Sequence, residues 1–460
     1  MVTHGNCQQF HALHGSSFAG ASSIFNNPAS PNNSLHRWDL NIFSFQFANS
    51  TNTLYAKNMK FPAIGNATIN LTQGAQERNI NTNLNLNFLN AMYRINKKQA
   101  VAVGLRMRMN NHIQSNAFNL NDSIGRLNAF LSANRNIPQI EGKFTNAGWI
   151  EANLNYAQVL FETGNSRLSG GITFQMMKSL SGAFAHINRL TYLESIRPTD
   201  SIYSLTGGVG SFAYSANMDT WSSNFNTQGN ISNFIKASKT AIGFSAGLEY
   251  ILYQQNDSYN ETEPKIYNWK LGLSLMDIGS NQYNTSKFTG KFFYNNRIAN
   301  DRDISNKLSN IKNAKELRDS LSSLLDTIIT LPRTFSIGNP ARIILNADRY
   351  LGNNFFINGQ LTIPLSNSYS STGHSTNELS LISLTPRWET RNWGIFLPIQ
   401  YNLYGLFWAG FAIKAGPLLA GFHHLGLLKK DPLLNGGGYI MLSIHPFSKK
   451  QMKSRLDCFE

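Results

Sequence analysis

The sequence predicts an all-β chain: a single antiparallel transmembrane β-barrel of about 14 strands (range 12–16), with an N-terminal luminal segment and one helical loop insertion. Three observations carry this. First, polar and apolar residues alternate over stretches of about ten residues, the length a tilted strand needs to cross a bilayer. Second, only 14% of the 460 residues are charged, well below the quarter usual for soluble domains. Third, no uncharged apolar run reaches the length of a membrane helix, and the mean hydropathy is -0.27, so helices do not supply the span.

The clearest hairpin occupies residues 79–110. Asn79, Asn81, Asn83, Asn85 and Asn87 alternate with Ile80, Thr82, Leu84, Leu86 and Phe88. After a polar turn at 96–99, Val101, Val103, Leu105, Met107 and Met109 alternate with Ala102, Gly104, Arg106 and Arg108. Successive side chains of a strand point to opposite faces, so each limb has one apolar and one polar face. Leu84, Leu86, Val103, Leu105, Phe244 and Leu271 are assigned to lipid and their neighbours to the lumen.

Residues 15–33 are small, polar and broken by Pro28 and Pro31, which suits irregular backbone. The chain therefore divides into a tail and luminal plug at 1–33, a barrel at 34–447 and a C-terminal tail at 448–460. Further strands are expected at 35–47, 146–160 and 168–176, with two more in 182–215. They continue at 242–252, 269–275, from about 333, and at 355–363, 379–388, 393–401, 407–415 and 439–447. Between 304 and 328 the apolar positions recur at threes and fours, the helix period, until Leu331–Pro332 ends it. Trp393 and Tyr401 bracket an apolar stripe, as at two membrane interfaces, and Phe447 supplies a terminal aromatic.

The net charge of +15 comes from scattered Lys and Arg with no nucleic-acid-binding motif beside them. Basic loops beside anionic headgroups account for it. Cys7 and Cys458 stand at opposite ends, and a bridge between them would need both tails in one oxidising compartment. Residues 1–7 lack the basic and apolar regions of a signal peptide, so an export signal is expected upstream.

Several segments resemble known barrels. Ala19-Gly-Ala followed by Asn27, Pro28 and Ala29 is similar to the fatty-acid-transporter superfamily of outer-membrane proteins. With the 272–279 segment Gly-Leu-Ser-Leu-Met-Asp-Ile-Gly, the helix before Leu331–Pro332, Leu397–Pro398 and Ala415-Gly-Pro417, the whole chain resembles a Bacteroidota outer-membrane barrel family of uncharacterised function. The resemblance implies about 14 strands and an N-terminal segment folded into the lumen. It does not imply fatty-acid transport, because relatives include secretion-system and scaffold components.

Catalytic and metal chemistry find little support. Gly-Phe-Ser-Ala-Gly at 243–247 fits G-x-S-x-G, but a nucleophile elbow needs a strand-to-helix turn, and here the alternation runs straight through Ser245. His4, His11, His14, His423 and His424 show no ligand spacing on a defined element. No enzyme, cofactor, metal or nucleic-acid partner is expected. The candidate functional set is instead the luminal polar face: Asn81, Asn83, Asn85, Asn87, Arg106, Arg108, Glu151, Asn153, Asn155, Glu249 and Lys270, together with the plug motif Asn27, Pro28 and Ala29. These residues would line a wet pore or pair with the inserted segment, since buried polar groups must be paired. The preferred expectation is a structural or assembly barrel of the cell outer membrane. Its surroundings would be outer-membrane lipid and lipopolysaccharide, with periplasmic or surface envelope proteins as further partners. The alternative is a channel or transporter for small or hydrophobic solutes, gated by the N-terminal segment.

Overall fold

The computed structural model describes residues 11–59, 67–120, 124–137, 139–196, 201–253, 267–294, 299–365, 373–376, 380–402 and 406–445. Cys7, Cys458, His4, Phe447, the side chain of His11 and the C-terminal tail at 448–460 lie outside them.

Fourteen antiparallel strands close into a barrel. In chain order they are β1 (Trp38–Thr51), β2 (Gly74–Arg94), β3 (Gln99–Leu120), β4 (Ile140–Glu162), β5 (Ser166–Ile196), β6 (Thr240–Tyr253) and β7 (Tyr267–Asn284). There follow β8 (Arg342–Gly352), β9 (Phe355–Pro364), β10 (Leu381–Glu389), β11 (Trp393–Phe396 and Ile399–Asn402), β12 (Phe407–Ala409 and Phe411–Ala415), β13 (Leu418–Phe422) and β14 (Gly436–Ile444). Each pairs with its sequence neighbour, and β1 pairs with both β2 and β14, which seals the wall. The pairing Leu40 to Ile444 beside Trp38 to Tyr93 brings both ends of the barrel sequence to one rim. That rim also carries the short turns at 95–98, 163–165, 353–354, 390–392 and 416–417 and the longer connection between β6 and β7; the other long connections lie at the opposite rim.

The alternation read from sequence is the alternation of burial. Asn81, Asn83, Asn85 and Asn87 are buried, while Leu84 and Leu86 are partly exposed. Arg106 and Arg108 are buried while Val103 and Leu105 are exposed, and Phe244 and Leu271 face outward as assigned. Large apolar side chains are thus outside and ionised ones inside, the reverse of a water-soluble protein, because lipid rather than water surrounds the wall. A bulge between Asn87 and Asn90 places Phe88 and Leu89 outside together before Asn90 turns back in; one extra residue resets the pleat.

Four expectations need correction. Residues 182–215 are not two barrel strands. Residues 182–196 are the outer half of β5, a strand of 31 residues, and Ser201–Tyr214 pairs with them beyond the reach of β6. Strand β13, only five residues long, escaped the sequence reading because Leu-Leu-Ala-Gly-Phe is too short to show a period. The stretch at 393–401 is split at Leu397–Pro398, since proline has no N–H for the ladder. The helical insertion at 304–328 is two helices, α3 (Asp301–Leu308) and α4 (Ala314–Leu324), followed by the short strand Thr327–Ile329. Asn300 and Asn313 cap α3 and α4 with their side chains. The insertion stands at the long-loop rim, as do α1 (Leu127–Ala133) and α2 (Thr227–Ala237).

Because Leu105 faces lipid in mid-strand, Leu105→Arg should destabilise the barrel in bilayers by about 2–4 kcal/mol. Equilibrium denaturation in vesicles measures this; unchanged stability would mean the assigned register is wrong.

Candidate functional site: the lumen and its N-terminal segment

The segment that precedes β1 lies inside the barrel. Three 3-10 turns, His11–Leu13, Gly20–Phe25 and Ser30–Asn33, fold it into a compact body. Its residues touch inward-facing groups around almost the whole circumference. Between His11 and Leu35 its ionisable side chains are only histidines, so it meets a charged wall with neutral donors and acceptors.

On one side, Asn27 Nδ2 donates to the Leu248 carbonyl at 2.9 Å, and Asn155 Nδ2 donates to the Pro28 carbonyl at 3.0 Å. Ser30 Oγ and Asn33 Nδ2 donate to the two oxygens of Glu249 at 2.6 and 2.7 Å. Ser274 Oγ donates to the Asn26 carbonyl at 2.7 Å. Here Asn27 and Pro28 lie flat on the wall because glycines make room. A Cβ at Gly171 would stand 2.1 Å from the Pro28 carbonyl oxygen, and one at Gly247 2.1 Å from Asn27 Oδ1. Gly171 and Gly247 are directly paired across β5 and β6, so they form one gap in the side-chain lining. Ala29 follows, fully buried.

At the short-turn rim the segment meets a second set. Ser16 Oγ donates to Glu389 at 2.8 and 2.9 Å, Lys270 Nζ donates to Ser17 Oγ at 3.0 Å, and the Ala21 N–H donates to Asp39 Oδ1 at 2.7 Å. Glu389 also accepts from Arg387, whose guanidinium forks onto Asp348 with both contacts at 2.7 Å. Hydrogen bonds to ionised groups contribute about 1.5–3 kcal/mol each, so these contacts hold the segment firmly.

Above the segment an ion cluster spans the lumen. Asp277 Oδ2 accepts from Arg108 Nη1 at 2.8 Å and Arg342 Nη1 at 2.6 Å; Oδ1 accepts from Gln175 at 3.0 Å. Arg106 pairs with Glu151 through Nε at 2.7 Å and also through Nη2, and it lies 3.7 Å from Asp277. Glu151 further accepts from Trp149 Nε1 at 2.7 Å and Asn153 Nδ2 at 3.3 Å. All these charged groups are almost fully buried. A bulge in β7 between Leu275 and Ile278 turns both Met276 and Asp277 inward, and Asp277 takes φ 57°, a strained conformation for a non-glycine residue. The N-terminal segment closes the cluster from below: the Arg106 guanidinium sits 4.1 Å from the centroid of the Phe25 ring, and Arg342 Nη2 donates to the Phe25 carbonyl.

Beyond the cluster, towards the long-loop rim, the lining becomes apolar. Trp149, Met177, Phe184, Tyr283, Phe335 and Ile337 form a buried layer, with Tyr283 and Phe335 stacked at 5.2 Å.

The sequence-selected residues therefore fall into three groups. Arg106, Arg108, Glu151 and Asn153 belong to the ion cluster. Asn155, Glu249 and Lys270 hold the segment carrying Asn27, Pro28 and Ala29. Asn81, Asn83, Asn85 and Asn87 form a buried amide row on β2 facing Asn110, Arg108 and Arg106 across the ladder; Asn87 donates to Ser44 at 2.6 Å and Asn81 bonds His112. The sequence reading missed Asp277, Arg342 and Glu389; cross-strand glycines suggest room for inserted backbone, but the sequence does not pair Gly171 with Gly247. Asp277 lies in a segment quoted for its family resemblance, but the bulge that turns it inward leaves no mark on the alternation. Ser245 sits mid-strand in β6, its Oγ accepting from the Asp277 N–H at 2.9 Å. Among the described residues no three His, Cys, Asp or Glu side chains group as metal ligands.

A sequence profile for a family of unknown function (DUF5723) matches residues 28–422. No curated protein matches the chain. Among solved structures, it is similar to a FadL homologue of Pseudomonas aeruginosa at 12% identity and a TM-score of 0.41, over 96% of this chain and 98% of that one. It is also similar to the toluene transporter TodX of P. putida at 9% identity and a TM-score of 0.41, over 92% of each chain.

Removing Asp277 would leave Arg108 and Arg342 buried without their shared counter-ion, so Asp277→Ala should cost about 3–5 kcal/mol. Denaturation in vesicles checks the value; a loss below about 1 kcal/mol would show that the arginines find other partners.

Proposed function

As the chain belongs to the family of unknown function DUF5723, we propose a role from its own lumen: a non-enzymatic outer-membrane channel for small, largely apolar solutes, closed by the N-terminal segment. The observation that carries this is the layered lumen. A barrel interior is ordinarily polar, yet here an inward aromatic layer around Trp149, Tyr283 and Phe335 lies above a closure bonded to the wall through its Ser and Asn side chains. An apolar solute would partition into the first zone and pass on only when the second is displaced.

The polar contacts of the segment are of a kind that a gate can release. Most bonds from the segment to the wall are hydrogen bonds from Ser and Asn side chains, which water can replace when the segment moves. By contrast, the ion cluster is built almost wholly from the wall and can persist without it. Two features support placement in the outer membrane, with the short turns in the periplasm and the helical insertion outside: the even strand number, and the gathering of five short turns at one rim with the helical insertion at the other. The assembly reading preferred on sequence has no comparable internal observation and yields to this one. Ser245, in unbroken strand and bonded to backbone, supports the non-enzymatic part.

Deleting residues 15–33 should raise single-channel conductance in planar bilayers, and Gly171→Val, which collides with Pro28, should raise it in part while exposing the segment to protease. Unchanged conductance in both variants would overturn the gated-channel reading. Ile337→Asn, within the aromatic layer, should reduce uptake of an apolar dye without abolishing the deletion variant's ion conductance; unchanged dye uptake would remove the apolar-solute part.

A further inference from the structure

The connection between the strand Ser201–Tyr214 and β6 buries amides and exposes large apolar side chains. It comprises the 3-10 turn Ala216–Thr220 and α2. Its buried side chains are amides, one bonded to the adjoining wall and one within the segment. Asn217 Nδ2 donates to the Leu180 carbonyl at 2.5 Å and to Ser238 Oγ at 2.7 Å, and Asn230 satisfies the Ser222 N–H and the Ser222 and Phe225 carbonyls. Both asparagines are buried. Away from the protein it presents Met218, Trp221, Phe225, Ile231 and Ile235, exposed by 43–58%. Ile231 and Ile235 are one helical turn apart and so share a face.

A loop in water rarely exposes five large apolar side chains while it buries two amides, and here the apolar ones stand beside exposed Asn224, Asn226 and Gln228. The barrel wall shows the same inversion, and the segment adjoins it. The Ser179 N–H donates to the Lys239 carbonyl and Asn284 donates to the Ala237 carbonyl, which seats the segment between β5 and β7 above the end of β6. The outward residue of β6 nearest to it, Ile242, is 66% exposed and lies two residues beyond Thr240, about 7 Å along the strand. The apolar face of the segment is therefore continuous with the lipid-facing band. Its charges have the sign a phosphate-bearing leaflet requires. Lys236 is exposed on the last turn of α2, Lys239 follows it, and Lys178 is paired to Thr240 on the adjacent strand. The nearby acid, Asp219, accepts from the Tyr214 and Ser286 hydroxyls at 2.8 and 2.5 Å.

We infer that residues 216–237 form an interfacial anchor. Trp221, Phe225, Ile231 and Ile235 are immersed in the acyl boundary of the leaflet at the long-loop rim, and Lys236 and Lys239 engage its anionic phosphate headgroups. Helices of this kind lie about 5–10 Å into the boundary, and aromatic side chains favour that depth. The anchor would hold the outer wall at a fixed height around the mouth of the lumen, and it does not depend on what the lumen conducts.

The test uses the full-length protein in phosphatidylglycerol or phosphatidylcholine vesicles, with Cys7→Ser and Cys458→Ser to leave one thiol for a nitroxide label. Labels at Phe225→Cys and Ile231→Cys should show an oxygen-over-nickel-complex accessibility ratio close to that of Ile172→Cys on the wall. That ratio should be several-fold above that of Asn306→Cys on α3. Access to the nickel complex equal to that of the Asn306 label would place the segment in water and overturn the proposal. Shielding from both reagents would do the same, by showing that a protein surface covers it. Lys236→Gln with Lys239→Gln should reduce the immersion of Ile231 in anionic phosphatidylglycerol but not in zwitterionic phosphatidylcholine; an unchanged depth in phosphatidylglycerol would overturn the assignment of these lysines to anionic headgroups.

Discussion

Inside a closed barrel, a buried charge has no solvent to fall back on, and this protein meets that constraint at Asp277. One carboxylate accepts from Arg108 and Arg342 and stands beside Arg106, joining β3, β7 and β8 across the lumen, with Glu151 extending the network to β4. An unpaired buried ion is penalised by several kcal/mol, so the strands carrying these residues must keep their register for the charges to meet. The strained backbone at Asp277 is consistent with this: a left-handed aspartate persists only where its surroundings over-determine it.

The cluster also divides the lumen. Below it, the N-terminal segment is bound by neutral side chains to Glu249, Glu389 and Lys270. Above it, the lining is aromatic and aliphatic. Phe25 marks the boundary, with its ring against Arg106 and its carbonyl toward Arg342. A cationic guanidinium stacked on an aromatic face is a favourable contact even without solvent, which lets the neutral segment cover a charged ceiling.

The wall is uneven for reasons visible in its residues. On the tall side, β2 to β5 run for 21 to 31 residues and carry the extension that includes Ser201–Tyr214, α1 and α3. On the low side, Pro386, Pro398 and Gly410 lie across adjacent strands. The Leu397 N–H reaches the Pro386 carbonyl and the Gly410 N–H the Pro398 carbonyl, so the breaks satisfy one another across the ladder and the wall stays closed where strands are short.

Much of the wall was legible without coordinates. The runs at 79–88 and 100–110 alternate because one face meets lipid and the other does not, and that period depends on local geometry alone. The luminal list followed from the same rule, as did the suspicion that 15–33 are not a strand. The expectation of about 14 agrees with the closed barrel, although it takes two strands from 182–215 and omits β13. A strand that rises past the membrane keeps its alternation, and only pairing reveals that its partner has changed. What needed the tertiary structure was everything set by contact across the lumen. Asp277 became the centre of a cluster through a bulge, Gly171 and Gly247 became a seat for Asn27 and Pro28 through their shared register, and Trp149 and Phe335 became one layer although 186 residues separate them in the sequence. Alternation records which face a residue occupies; which residues meet there depends on register and closure, and these emerge only when the whole sheet is assembled.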